Sequence, residues 1–339
     1  MENARATTVI NRPKWLRYGV AVLGIHLLGL ALLIPALKEY PQLLGIAFLA
    51  YTLGLRHAFD ADHIAAIDNT VRKMVQQKLE PTGLGFFFSL GHSSVVFIMA
   101  LITAFSMAWA KDNIPQLQVI GGLIGTVVSG GFLLLIGLFN LYIWFDIYRL
   151  FMKMHRGEFD EGNLEQLLLN RGFISRFFGP LYRFISKSWH VYPLGFLFGL
   201  GFDTASEVAL LAISANAASQ AMPFTAILSL PVLFAAGMSL MDTADGIFMT
   251  TAYNWALSTP LRKVYYNLSV TGISVIAALF IGLIELAQIV TPKLGLNGGI
   301  WGWIQNLDFG GIGYILVGLF VLSWGLSYLV WKVLRLENA

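Results

Sequence analysis

The chain has 339 residues, of which 57% are hydrophobic and only 12% are charged, with a formal net charge of +3. A globular protein carries about 25% charged residues, so this composition excludes a soluble protein, and its richness in apolar residues excludes disorder. The net charge is too small to indicate nucleic-acid binding, and the absence of Cys excludes disulfides and thiolate metal sites. The sequence therefore predicts an integral protein of the lipid bilayer.

Eight apolar stretches reach the length of about 20 residues that a helix needs to cross the hydrocarbon. They are residues 16–37, 42–67, 82–109, 118–145, 191–220, 223–257, 267–291 and 309–331. We expect an all-α integral membrane protein with eight transmembrane helices, forming a single polytopic domain over residues 1–339. The sixth stretch is longer than a straight crossing requires and contains Pro231, Gly237 and Gly246, which indicates that it is kinked or extends past the membrane; its glycines would permit a local break.

The positions of Lys and Arg predict the orientation of these helices. Eighteen of these residues lie at the termini or in alternate loops, whereas the opposite loops hold only Lys38, Lys111 and Lys293. This split predicts that both termini are cytoplasmic. The first stretch lacks a small-residue cleavage site and is interpreted as a span, not as a signal peptide.

The longest polar connection, residues 146–190, lies between the fourth and fifth spans and is predicted to be cytoplasmic. Phenylalanines and arginines alternate within it, which is typical of an amphipathic segment at a membrane surface. A solvated linker with a helix packed on the bundle is the alternative.

Six acidic residues occur as three pairs inside the predicted spans. Each charge at bilayer depth costs at least about 2.5–3.5 kcal/mol, so six would cost about 15 kcal/mol or more without compensation. Arg56 is the only nearby fixed cation in this interpretation, so protons, water or a bound metal ion must neutralise the carboxylates. Glu285 stands alone on the seventh span, and its role is left open. The pairs are Asp60 and Asp62, Asp203 and Glu207, and Asp242 and Asp245.

The second span contains the densest polar motif. On a continuous helix His57, Asp60 and His63 would share one face, whereas Asp62 would point away. Two imidazoles and a carboxylate form a partial coordination shell for Ni²⁺, Co²⁺ or Zn²⁺. Arg56 lies four residues from Asp60 and is a candidate partner for it.

Other spans supply further candidates. The predicted metal-site residues are His57, Asp60, Asp62, His63, His92, Asp203, Glu207, Asp242 and Asp245. The predicted supporting polar residues are Arg56, Ser89, Asn140, Thr204, Ser206 and Thr243.

The two halves of the chain contain a weak repeat. An offset of 145 places Gly54 over Gly199 and Asp62 over Glu207, which relates the second and third spans to the fifth and sixth. Because three spans separate the copies, they run in opposite directions. This is the inverted repeat of many secondary transporters, whose substrate site lies at the repeat interface.

These motifs together resemble the nickel/cobalt transporter (NiCoT) family. The His57–His63 motif, the Phe88–Ser93 motif and the motifs at residues 200–207 and 237–246 match its signatures in order, with Ser206 where the family usually has Thr. The resemblance implies selective, high-affinity uptake of Ni²⁺ and/or Co²⁺ across a bacterial cytoplasmic membrane, with the second-span motif recognising the metal. The metal is then a substrate, and no cofactor is expected. The sequence has no P-loop, so ATP is not expected to be the direct energy source, and no ATP-binding subunit is implied.

Three alternatives stay open. The chain could transport another divalent cation, because ligand types alone do not select one such cation, as with Ni²⁺ and Co²⁺. It could instead export the metal. It could also be an intramembrane metal-dependent hydrolase that uses His57 and His63 as ligands. The missing His-Glu-x-x-His spacing and the large number of buried carboxylates argue against the hydrolase.

Overall fold

The computed structural model describes residues 13–105, 107–156, 185–201, 205–220, 222–256, 260–307 and 309–333, and in this part of the chain it contains helices and no strand. The all-α prediction agrees with it. The helices are α1 (Leu16–Leu37), α2 (Leu43–His57), α3 (Ala61–Gln76), α4 (Leu84–Phe105), α5 (Met107–His155), α6 (Tyr192–Gly199), α7 (Ala205–Ser219), α8 (Phe224–Ala256), α9 (Pro260–Lys293), α10 (Gly299–Gln305) and α11 (Phe309–Val333).

Five of these helices, α1, α4, α5, α8 and α9, are long and apolar enough to cross a membrane. Shorter apolar helical segments occupy Leu43–His57 and Gly311–Leu326. A helix needs about 20 apolar residues to span the hydrocarbon, so the described chain is that of a multi-pass membrane protein.

The second predicted span is divided into two helices. α2 ends at His57 and α3 begins at Ala61, with Asp60 between them in an extended conformation. The Asp60 side chain accepts the N–H of Ala61 at 2.9 Å and so caps α3, as aspartate does before many helices. The fifth span is also divided, because α6 ends at Gly199 and α7 begins at Ala205.

The sixth span is helical from Phe224 to Ala256 in α8, with Pro231 inside it and without the local break that its glycines would permit. Helix α5 continues past residue 145, where the fourth span was predicted to end, to His155. The predicted amphipathic segment in the following connection falls within residues 157–184, outside the described chain.

Helix α8 packs against α1, α2, α3 and α4, while α5 packs along α9 and α4 packs along α6. Two of these contacts bring backbones together at a glycine. A Cβ on Gly237 of α8 would lie 2.5 Å from the Tyr51 carbonyl oxygen of α2, and one on Gly91 of α4 would lie 2.1 Å from the Tyr192 carbonyl oxygen. These contacts hold the divided spans against α4 and α8.

We expect Gly91→Ala and Gly237→Ala to destabilise the protein by about 1–3 kcal/mol each, because the added methyl group overpacks a backbone contact. Gly24→Ala is the matched control, because nothing lies within 4 Å of a Cβ at that position in α1. Thermal unfolding in detergent measures the effect. Unfolding midpoints for the Gly91 and Gly237 variants that equal or exceed that of the control would contradict the packing.

Candidate metal site

Three buried histidines from different helices meet at the break in the second span. His57 is the last residue of α2, His63 lies in the first turn of α3, and His92 lies within α4. Their ligand nitrogens lie within 4.8 Å of one another, and each residue is at most 3% exposed. The end of α2 at His57 allows the chain to turn, so that His57 and His63 contact each other across the break. We call these three residues the histidine cluster.

Glu207 adds a carboxylate to the histidine cluster from the first turn of α7. His92 Nε2 lies 2.8 Å from His57 Nε2 and 2.8 Å from Glu207 Oε1, while His57 Nε2 and Glu207 Oε1 are 3.9 Å apart. The three atoms form a triangle with nearly a right angle at His92. The point equidistant from all three atoms lies about 2 Å from each, which is the usual bond length between a transition metal and nitrogen or oxygen.

Hydrogen bonding alone does not satisfy this triangle. An imidazole nitrogen has one in-plane site, which holds either a proton or a lone pair. His92 Nε2 therefore makes one good hydrogen bond but has two partners at 2.8 Å. A single cation inside the triangle would interact favourably with both nitrogens and with the carboxylate.

Neighbouring polar groups orient the rings. His57 Nδ1 lies 3.1 Å from Ser206 Oγ, and such a bond on the remote nitrogen directs Nε2 towards a metal. His63 Nδ1 is buried with no hydrogen-bond partner in the described chain, and it lies 4.0 Å from Asp242 Oδ2. Ser206 therefore lies beside His57, and Asp242 faces the cluster.

The two aspartates of the second span lie at the start of α3. Asp60 caps the helix, and Asp62 Oδ1 accepts the N–H of His63 at 2.8 Å. Because the helix is interrupted, Asp60 does not share a helical face with both histidines, and that prediction was wrong. Arg56 is exposed at the end of α2.

The remaining acidic candidates differ in their surroundings. Asp242 is 1% exposed, and neither of its carboxylate oxygens has a hydrogen-bond partner among the described residues. Asp245 is half-buried one turn further along α8, and Thr243 between them is buried. Asp203 and Thr204 lie outside the described chain.

Two supporting candidates join helices instead of lining the cluster. Ser89 Oγ lies 2.9 Å from Ser239 Oγ, which links α4 to α8. The Asn140 side chain donates to Asn69 Oδ1 at 2.7 Å and links α5 to α3. Both contacts are interhelical hydrogen bonds of the kind that stabilise membrane bundles.

Sequence reasoning missed a buried ion pair in α3. Arg72 was assigned to a cytoplasmic loop, but it is fully buried and donates to Asp68 Oδ2 at 2.7 Å and to the Tyr253 hydroxyl at 3.3 Å. Arg56 is therefore not the only cation near the buried carboxylates. The four-residue spacing of Asp68 and Arg72, which favours an ion pair on a helix, was the available signal.

Comparison with known proteins identifies the family of the chain. Residues 43–330 match the family model described as high-affinity nickel-transport protein. The chain is 56% identical to the nickel transporter NixA of Staphylococcus aureus, over 96% of this chain and 97% of that protein. It is 54% identical to the high-affinity nickel-transport protein NixA of Helicobacter pylori, over 94% and 97% of the two chains.

A cobalt protein is also among the relatives. The chain is 41% identical to the cobalt transport protein NhlF of Rhodococcus rhodochrous, over 90% of this chain and 88% of that protein. No solved structure matches the chain. The extent and identity of these matches show that the chain belongs to the family of high-affinity nickel-transport proteins.

Proposed function

We propose that the protein is a secondary transporter that takes up Ni²⁺ and/or Co²⁺ across a bacterial cytoplasmic membrane. The observation that carries this proposal is the triangle formed by His57 Nε2, His92 Nε2 and Glu207 Oε1, which has the size of a metal coordination shell. All three residues are at most 3% exposed, so a divalent cation bound there would have lost most of its water to protein ligands.

The shape of the triangle favours nickel over zinc. Two ligands at right angles on one ion are about 2.9 Å apart in the planar and octahedral geometries that nickel adopts. Two tetrahedral ligands of zinc are about 3.3 Å apart. The observed 2.8 Å separations match the right-angled arrangement. His57 and Glu207 then lie nearly opposite each other across the ion.

The membrane potential can supply the driving force. A potential of 100 mV, negative inside, favours entry by about 2.3 kcal/mol per charge, or about 4.6 kcal/mol for a dication. Asp60, Asp62, Asp203, Asp242 and Asp245 supply negative charge along the path. The metal ion is the substrate, and no resident cofactor or partner subunit enters this proposal.

The inverted repeat is part of the proposal, and two observations support it. A helix ends inside both the second and the fifth span, with α2 ending at His57 and α6 at Gly199. The glycine contacts are also paired, since Gly237 approaches α2 and Gly91 approaches α6. His57 and Glu207, on either side of the triangle, come from the two divided spans. Divided helices in corresponding positions commonly build a transporter's substrate site, and rocking of the repeats would open it to alternate sides.

We expect His57→Ala and His92→Ala to abolish high-affinity nickel binding and uptake, because each removes one corner of the triangle. Calorimetric titration of purified protein with Ni²⁺ and uptake of radioactive nickel by cells measure the two effects. Removing one imidazole ligand should weaken binding by about 10–100-fold or more, the range seen for lost supporting contacts of metal ligands.

His26→Ala is the matched control for these variants. His26 lies in α1, where its ring bonds to the Val22 carbonyl and contacts Tyr51, away from the cluster. It should bind and accumulate nickel like the unmodified protein. Undiminished uptake by the His57 and His92 variants at normal expression would refute a role for the cluster.

The full topology is also proposed: eight spans in one polytopic domain, both termini cytoplasmic, and residues 146–190 largely cytoplasmic. The chain has no Cys, so single cysteines can report sidedness without prior engineering. The exposed positions Gln77, Lys187, Glu39 and Asn297 are suitable for such substitutions.

We expect Gln77→Cys and Lys187→Cys to react with a membrane-impermeant thiol reagent only after cells are permeabilised, because both positions should face the cytoplasm. Glu39→Cys and Asn297→Cys should react in intact cells, because they lie in the opposite loops. The fraction of labelled protein before and after permeabilisation measures the sidedness. Labelling of the Gln77→Cys and Glu39→Cys variants from the same side would contradict the eight-span topology.

A further inference from the structure

Glu285 is a buried carboxylate that the histidine cluster does not use. It lies on α9 and is 5% exposed. Ser129 of α5 donates its hydroxyl proton to Glu285 Oε2 at 2.7 Å, and the same hydroxyl lies 3.4 Å from Asp62 Oδ2. Ser129 is itself 4% exposed. One serine hydroxyl therefore lies between two carboxylates that belong to different helices.

Asp62 connects this pair of carboxylates to the histidine cluster. Asp62 Oδ1 accepts the backbone N–H of His63 at 2.8 Å, and Ser129 joins Asp62 to Glu285. The ring of His63 is 4.8 Å from that of His57, while its Nδ1 lies 4.0 Å from Asp242 Oδ2 of α8. His63 therefore contacts the histidine cluster on one side and faces Asp242 on the other.

An independent observation points to a ligand between these groups. Asp242 Oδ1 and Oδ2 and His63 Nδ1 are all buried without a hydrogen-bond partner among the described residues. A buried carboxylate without partners is costly, so such groups normally pair or bind a metal. Asp242 Oδ2 and His63 Nδ1 are 4.0 Å apart, too far for a hydrogen bond. Two ligands on opposite sides of one transition-metal ion are about 4 Å apart.

We propose that Asp62, Asp242 and Glu285, with the Ser129 hydroxyl and with His63 at the edge, form a second cation station beside the histidine cluster. This inference rests on the proposed transport function and assigns a role to two residues, Ser129 and Glu285, that lie outside the cluster. A dication passes between the two stations, and His63 is the ligand that both can reach.

The chemistry of the second station suits transient binding. Its ligands are mainly carboxylate and hydroxyl oxygens, which hold nickel and cobalt less tightly than imidazole does and favour harder ions such as Mn²⁺. Conduction requires binding sites that an ion can enter and also leave, and neighbouring sites of unequal strength satisfy both needs. The cluster selects the ion, and the oxygen-rich station accepts it.

The test separates binding at the cluster from movement through the second station. In Glu285→Gln and Ser129→Ala, the nickel affinity of the cluster, measured by calorimetry, should stay within about twofold of the unmodified protein. Potential-driven nickel uptake by proteoliposomes should fall about tenfold or more for Glu285→Gln and several-fold for Ser129→Ala. Ser229→Ala is the matched control, because Ser229 is a buried serine whose hydroxyl donates to the Ala226 carbonyl within its own helix.

A second measurement detects cation binding at the second station directly. It replaces the uptake assay if Glu285→Gln lowers the yield of folded protein. Mn²⁺ bound to the His57→Ala variant, in which the cluster is impaired, is counted by electron paramagnetic resonance. We expect one bound Mn²⁺, and we expect its loss when Ser129→Ala is added.

The outcomes distinguish this inference from the proposed function. Nickel uptake at the unmodified rate by the Glu285→Gln and Ser129→Ala variants overturns the second station. Loss of tight nickel binding in these two variants also overturns it, because Ser129 and Glu285 would then belong to the cluster itself. Absence of Mn²⁺ from the His57→Ala variant also overturns it. Absence of tight nickel binding in the unmodified protein overturns the proposed function instead.

Discussion

The convergence of two imidazole nitrogens and one carboxylate oxygen on a single point is the interaction on which this structure depends. It requires His57 at the end of one helix, His92 within another and Glu207 at the start of a third. His63 adds a third imidazole next to this triangle, and its ring contacts that of His57 across the break between α2 and α3. The helix break brings His63 beside His57, and the glycine contacts of α4 and α8 hold the divided spans in place.

The buried carboxylates Asp68 and Asp242 differ in whether the described protein supplies hydrogen-bond donors to them. Asp68 is compensated permanently, because Arg72 and Tyr253 both donate hydrogen bonds to it. Asp242 has no such partner among the described residues. Removing one member of a buried ion pair costs about 3–5 kcal/mol, so the Asp68–Arg72 pair is a fixed part of the fold. An acidic group without a resident cation is suited to a cation that arrives and leaves. The distinction separates the structural carboxylate from those assigned to the ion path.

The sequence was sufficient for the class of fold and for the residues that meet at the histidine cluster, because both depend on residue types that stand out in a membrane protein. Helical spans follow from apolar length, and His57, His63, His92 and Glu207 stand out against that apolar background. The positions of the helix breaks could not be predicted, since a glycine in an apolar run permits a break without requiring one. Helix α8 continues through Gly237, whereas the second span is interrupted after His57. The partners of Arg72 and Glu285 were missed because their contacts, at Tyr253 and Ser129, lie on distant parts of the chain.

The most direct test of the central claim is X-ray absorption of Ni²⁺ bound to the purified protein. The triangle predicts at least two imidazole nitrogens and one oxygen at about 2.0–2.1 Å from the metal, in a planar or octahedral and not a tetrahedral geometry. His57→Ala should lose imidazole scattering, whereas His26→Ala should not. A tetrahedral spectrum, or a nickel spectrum without imidazole that is unchanged in His57→Ala, would contradict the account.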